Sequence, residues 1–158
     1  MEKEKISILV EKYSNMVMRI AYQNCFNKSD SEDIVQEVFI RLLKNIHKLE
    51  EDYIKAWIIR VTINICKDYN KNFWYKKTEP LDNIEIEYFD KDEIEVFKVI
   101  SKLKPIYRNI IYLYYYEGYK INEIAKILNL NENTVSSNLS RARKKLKGIL
   151  EEGEELYE

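Results

Sequence analysis

Glycine and proline are scarce in this chain of 158 residues, three of the first and two of the second. Sandwiches and barrels need many tight turns, and β-branched alternation is also rare, so an all-α protein is expected. Histidine is nearly missing. His47 stands alone, which leaves no zinc cluster and no Ser-His or Cys-His dyad; no metal, cofactor or enzymatic activity is expected. The two cysteines, Cys25 and Cys66, sit inside helical patterns without metal spacing and read as reduced core residues. No apolar run approaches the roughly 20 residues that span a bilayer. The opening MEKEKISILVEKY lacks the apolar stretch and cleavage site of a signal peptide. No membrane insertion is expected, and the expected location is cytoplasmic.

What the chain does have is a segregated charge. The formal net charge is only −1, a balance that hides its distribution. Residues 53–77 carry six bases against the single acid Asp68, a net of +5. Residues 78–100 carry eight acids against Lys91 and Lys98, a net of −6. Residues 120–147 return to +5, and the final GILEEGEELYE adds −5. Two basic stretches separated by an acidic one suggest two nucleic-acid contacts and a linker with a different task.

The apolar residues recur at helical spacing. Ile6, Leu9, Val10, Tyr13, Val17, Ile20, Ala21 and Asn24 mark a first helix. NKSDSEDIVQEVFIRLLKNI follows, with Ser29 or Ser31 as the expected cap, Glu32 and Asp33 in the first turn, and Ile34, Val35, Val38, Phe39, Leu42, Leu43 and Ile46 facing inward. HKLEED reads as a polar break. A third helix is expected over 53–77, its stripe formed by Ile54, Trp57, Ile58, Val61, Ile65 and Tyr69. TEPLDNIEIEYFDKDEIE reads as an irregular acidic linker. Beyond it come EIEVFKVISKLK, a helix opened by Pro105 and closed by a left-handed Gly118, a short INEIAKILN helix, and ENTVSSNLSRARKKLKGIL.

The last two elements make a helix-turn-helix pattern. On a wheel of 100° per residue, Val135, Leu139, Ala142 and Leu146 fall together and face Ile121, Ile124, Ala125 and Leu128. Small Ala125 permits a close crossing, Leu130 plugs the turn, and Asn131 caps the second helix. The outward face is then Asn133, Ser137, Ser140, Arg141 and Lys144, all hydrogen-bonding and none acidic, as a major-groove reader requires. Arg143, Lys145 and Lys147 lie where phosphate contacts are expected.

In that order, SDSEDIVQEVFIRLL, KAWIIRVTINICKDY and EGYKINEIAKILNLNENTVSSNLSRARKKL resemble bacterial RNA polymerase sigma factors, in particular the small extracytoplasmic-function group of the sigma-70 family. The resemblance covers about residues 8–148. It implies two small helical domains joined by an acidic flexible linker, the second containing the helix-turn-helix: 1–76, which binds core polymerase and captures the −10 element; a linker at 77–92; 93–150, which reads the −35 element as duplex; and an acidic tail at 151–158. The implied partners are core RNA polymerase (its β and β′ subunits) and promoter DNA, with an anti-sigma factor as a further possible partner. The linker of such proteins threads toward the RNA exit path.

The same resemblance implies the residues. Asp33, Gln36, Glu37 and Arg41 match the polar positions that meet the β′ coiled coil, and Phe39 and Leu42 the apolar ones. The loop 47–52 helps form a pocket for an unstacked base, and Arg60, Asn64, Lys67, Asp68 and Lys71 on the helix behind it face the −10 DNA. Trp57 matches a packed position; Trp74 and Tyr75 lie past the stripe. Ser137, Ser140 and Arg141 match groove-facing positions, and Asn133, Thr134, Ser136 and Lys144 complete the expected −35 set. Relatives often carry Lys or Arg where this chain has Ser136 and Asn138, which weakens the phosphate contribution. Two rivals stand beside this reading: a stand-alone helix-turn-helix regulator, which leaves the first two motifs unused, and a DNA-cutting enzyme, whose acids Asp30, Glu32 and Asp33 are explained equally well by a helix start.

Overall fold

The computed structural model describes residues 2–72 and 88–157, apart from the side chains of residues 71, 72 and 154–157. The described residues form helices and turns with no strand. They divide into two compact units, Met1–Tyr88 and Phe89–Glu158.

The first unit is a three-helix bundle of α1 (Glu2–Cys25), α2 (Lys28–Asn45) and α3 (Ile54–Asn72), each packed on the other two. Val17, Ile20, Ala21, Tyr22, Val38, Leu42, Ile58 and Ile59 lie wholly inside. Only Phe26 and Asn27 join α1 to α2. Phe26 takes a left-handed backbone, φ 51°, which costs an L-residue about 1–2 kcal/mol. Its ring is buried and meets Tyr22 edge-on at 5.7 Å; burying a phenylalanine contributes about 1.5–3 kcal/mol, enough to offset the strain. Asn27 then caps α2, its side-chain oxygen accepting from the Asp30 N–H at 2.9 Å. The cap is therefore neither Ser29 nor Ser31. Ser31 is buried one turn inside, donating its hydroxyl to the Asn27 carbonyl at 2.7 Å. Asp30 is also buried and accepts from the Tyr69 hydroxyl, which ties the start of α2 to α3.

The buried stripe of α3 differs from the expected one. Ile54, Ile58, Ile59, Thr62, Ile63 and Cys66 are buried, whereas Trp57, Val61, Ile65 and Tyr69 are half-buried. The stripe is turned by about 100°, one residue on the helix, because α3 packs on two neighbours at once. Thr62 enters the core by donating its hydroxyl to the Ile58 carbonyl at 2.7 Å. Cys25 and Cys66 are free and buried; a hydrogen bond with Cys25, and then burial, pushes the Cys66 thiol up and keeps it protonated.

The expected polar break is two single 3-10 turns, Ile46–Lys48 and Glu51–Tyr53. Buried Ile46 anchors the first turn, and a 2.8 Å ion pair from Glu51 to Lys5 of α1 ties down the second. Residues 73–77, including Trp74 and Tyr75, and most of the expected linker, up to residue 87, lie outside the described residues. The end of that linker belongs to the second unit. Phe89 is buried against Phe97 with ring centres 4.7 Å apart, and Asp90 caps α4 (Lys91–Ile100) by accepting from the Glu93 N–H at 2.8 Å.

The second unit continues with α5 (Pro105–Ile111), which opens on Pro105 and runs into one π turn, Tyr112–Tyr116. Gly118 then takes φ 75°, as its placement predicts. Short α6 (Ile121–Leu128) and long α7 (Glu132–Tyr157) complete it, with α7 packed on α4, α5 and α6. The residues expected as an acidic tail continue α7 to Tyr157. Glu and Leu are good helix formers, and each internal glycine costs only about 1 kcal/mol.

Candidate nucleic-acid interface

The turn between α6 and α7 is built from two asparagines. Asn129 takes the left-handed conformation, φ 55° and ψ 49°, and the Leu130 N–H closes back onto the Ala125 carbonyl at 2.9 Å. Asn131 caps α7 by accepting from the Thr134 N–H at 2.7 Å. Ile124, Ala125 and Ile127 of α6 are buried, as are Val135, Leu139 and Ala142 of α7. That burial turns Asn133, Ser136, Ser137, Ser140, Arg141 and Lys144 to the surface, all exposed. Thr134 is half-buried and its carbonyl accepts from the Asn138 amide at 2.8 Å. The face therefore offers hydroxyls, an amide and two cations at a helix N-terminal half, with no carboxylate among them.

Arg143 is exposed, as Lys145 and Lys147 are, but it is engaged by tyrosines. Its Nε donates to the Tyr115 hydroxyl at 2.5 Å, and its guanidinium lies 5.2 Å from the Tyr114 ring centre and 5.5 Å from that of Tyr115. The Tyr115 contact pushes its pKa further up, so the group stays charged. The sequence wheel carries no sign of this partner, which comes from 28 residues away.

A second basic face lies on α3. Arg60, Asn64, Lys67 and Asp68 are exposed and share an arc of about 100°. Lys71 follows on the same backbone arc, but its side chain lies outside the described residues. Trp57 is half-buried rather than packed inside, and its position falls within that arc. Tyr53, 63% exposed, stands just before the helix.

On α2 the structure separates the expected polymerase-binding residues. Asp33, Gln36 and Arg41 are exposed and Glu37 half-buried, with Arg41 donating to Glu37 at 2.9 Å. Leu42 is fully enclosed and Phe39 is buried, so neither offers its side chain to a partner. Ile40 and Leu43 do, each 48% exposed. Leu43 was expected inside, but the arc that α1 and α3 cover centres on Ile34, Val38 and Leu42 and stops short of it. Beside this face, Ser14, Asn15, Met18, Glu32, Val35 and Gln36 line a cleft of about 210 Å³ that Tyr88 closes on one side.

Two sequence families match the two units in turn: Sigma-70 region 2 over residues 9–72 and Sigma-70 region 4 over residues 94–146. The chain is also 30% identical over 133 residues to the RNA polymerase sigma factor SigV of Bacillus subtilis, covering 80% of this chain and 79% of that one. The chain belongs to the sigma-70 family, in its extracytoplasmic-function group. SigM of Bacillus subtilis is 28% identical over 159 residues, covering 94% and 96% of the two chains. SigE of Mycolicibacterium smegmatis is 27% identical over 154 residues; there the match spans 90% of this chain but 60% of its relative. Among solved structures, the sigma factor RpoE of Bartonella quintana, determined with the anti-sigma factor NepR, aligns with a TM-score of 0.75 at 18% identity over 94% of this chain and 98% of that one. CnrH, determined with the cytosolic domain of CnrY, gives 0.72 at 22% over 94% and 89%. These two likenesses support the fold.

The family places the α2 and α3 faces in region 2 and the helix-turn-helix in region 4. As a sigma factor, the chain directs RNA polymerase to promoters. Among the described residues no group of three His, Cys, Asp or Glu side chains converges to hold a metal ion, and no helix is long and apolar enough to cross a membrane.

Proposed function

We propose that this sigma factor grips its promoter at two places while the outward face of α2 holds core polymerase. The face of α7 docks in the major groove of the −35 duplex. Arg141 and Lys144 supply cations, Ser137 and Ser140 read base edges, and the capped end at Asn133 and Thr134 sets the entry angle. The face of α3 takes the opened −10 strand. Extruding a base costs a few kcal/mol. Stacking on an aromatic ring face contributes about 1–3 kcal/mol per base, so Trp57 or Tyr53 with phosphate contacts from Arg60, Lys67 and Lys71 is enough to balance it. Each grip is weak alone, and polymerase makes them strong by fixing their spacing. With Ser136 and Asn138 in place of cations, the −35 grip has fewer phosphate contacts and a shallower dependence on salt.

On α2, Ile40 and Leu43 form the apolar centre of the polymerase-docking face, inside a polar rim of Asp33, Gln36, Glu37 and Arg41. This arrangement, an apolar middle with charges around it, is that of a protein interface. A protein that covers the α2 or α7 face would hold the factor inactive, and an anti-sigma factor of this kind is proposed as its regulator, by analogy with the NepR-bound relative.

The observation that carries this reading is the presence in one chain of two exposed basic faces, on α3 and α7, under a region 2 and a region 4 match. A stand-alone regulator leaves the α2 and α3 faces without a task. Run-off transcription with core polymerase and a randomised promoter library tests it. Holoenzyme should select a subset of templates with a shared upstream pair of elements. Initiation no better than core enzyme alone on every template would overturn it.

A further inference from the structure

Arg143 is the cation of α7 that the DNA-facing arc leaves aside. It lies about 100° round the helix from Lys144 and 200° from Arg141, on the flank that faces the tyrosine turn. Its Nε is taken by the Tyr115 hydroxyl at 2.5 Å, and the rings of Tyr114 and Tyr115 sit within cation–π range of its guanidinium. The turn that supplies them is itself fixed. Tyr112 and Leu113 are buried, Tyr112 stacks on Tyr116 at 5.1 Å, and the Glu117 N–H closes on the Tyr112 carbonyl at 3.1 Å. A π turn carries one residue more than an α turn and so redirects the side chains that follow it. Beyond Leu139 the buried face of α7 offers, among the described side chains, small Ala142 and the half-buried Leu146 and Ile149. That packing alone holds the C-terminal half of the reading helix weakly.

We infer that Arg143 is a positioning residue: with Tyr115 and Tyr114 it clamps α7 to the π turn and sets the angle at which the Asn133-to-Lys144 face meets DNA, and it contacts no phosphate itself. This rests on the reading of α7 as the −35 element's docking helix. The Nε–H and the ring-facing side of the guanidinium are committed to the tyrosines, and its orientation is set by them and not by DNA.

The test uses holoenzyme and the promoter duplex that the library selection yields, with affinity measured against salt well below the melting temperature of each variant. Tyr115→Phe, which keeps the ring and removes the acceptor, and Arg143→Ala should each weaken binding about three- to tenfold. The double variant should be no worse than either alone, since both break one clamp. Arg143→Lys should not restore binding, because it keeps the charge but not the Nε donor. In all of these the slope of log affinity against log salt should stay at the wild-type value, whereas Lys144→Ala should make it shallower by about one. If Arg143→Ala makes the slope shallower by one while Tyr115→Phe binds normally, Arg143 is a phosphate contact and the inference is wrong. It is wrong too if both variants bind as wild type. If Arg143→Ala fails to fold, Tyr115→Phe decides the matter by itself. Loss of effect at Arg141→Ala as well would instead sink the duplex-docking reading, so the two failures are distinct.

Discussion

The first unit is made of helices of 24, 18 and 19 residues, the second of helices of 10, 7 and 8 residues around one of 26. Isolated helices shorter than about 12–15 residues are marginal in water. The short ones here depend on α7 and on local devices: the Asp90 cap, Pro105 at a helix start, and left-handed Gly118 and Asn129. The bundle needs fewer such devices because every long helix is covered by two others. Its outer faces are free to differ, an apolar centre on α2 and a basic arc on α3. In the second unit one helix both builds the core and carries the face proposed to read DNA, so buried and exposed polar residues interleave within a single turn.

That contrast makes the two units respond differently to substitution. The largest effect is expected at Leu42→Ala. An enclosed leucine cut to alanine costs about 2–5 kcal/mol, so the first unit should melt earlier, while duplex binding through α7 is kept. If melting is unchanged and only polymerase affinity falls, Leu42 is a contact residue and the buried assignment fails. Ile40→Asp combined with Leu43→Asp should do the reverse. Polymerase affinity should drop by roughly 2 kcal/mol or more, the scale of an interface hot spot, with melting unchanged in calorimetry. Arg141→Ala should cost about 1–3 kcal/mol of base discrimination in −35-dependent transcription and leave polymerase pull-down intact; equal loss of both would erase the division of labour. The caps come next. Asn131→Ala should cost about 1 kcal/mol of stability and Asn27→Ala about the same, but only the first should also weaken −35 binding.

The smallest effect concerns charge in the first unit. Lys5, by its hydrogen bond and its charge, holds the Glu51 carboxyl below its ordinary value. A depressed carboxylate contributes above its ordinary pKa and loses that contribution as pH falls through the lowered one. Lys5→Ala should therefore move the Glu51 titration upward, read by NMR, and loosen the 3-10 turns already at neutral pH, whereas with Lys5 present they loosen only as pH falls through the lowered value. A Glu51 titration that does not move would remove the tie between α1 and the loop before α3.

The α7 face was legible because the residues its three neighbours bury, Val135, Leu139 and Ala142, lie on one narrow arc, so a single wheel separates them from Ser137 and Ser140. The α3 stripe was misplaced by one residue because two neighbours share its burial, and because Thr62 does not look apolar on a wheel. Phe39 and Leu42 matched a family motif by position, but a motif does not say which of two adjacent apolar residues faces out. The exposure of Ile40 and Leu43 was not legible for that reason. The Asn27 cap hid behind two serines that look equally suitable, and Phe26 gave no hint of its left-handed backbone because its strain is offset by a ring contact across the bundle.

Composition and periodicity by themselves determined the helical class, the division into two halves, the helix-turn-helix and the order of its polar face. These follow from local spacing, and spacing is written along the chain. Tertiary structure alone decided which apolar residues α2 leaves exposed, how far α3 turns into its core, and that Arg143 is engaged by tyrosines of an earlier turn. Each depends on what a residue meets from a distant part of the chain, and burial is a property of that meeting.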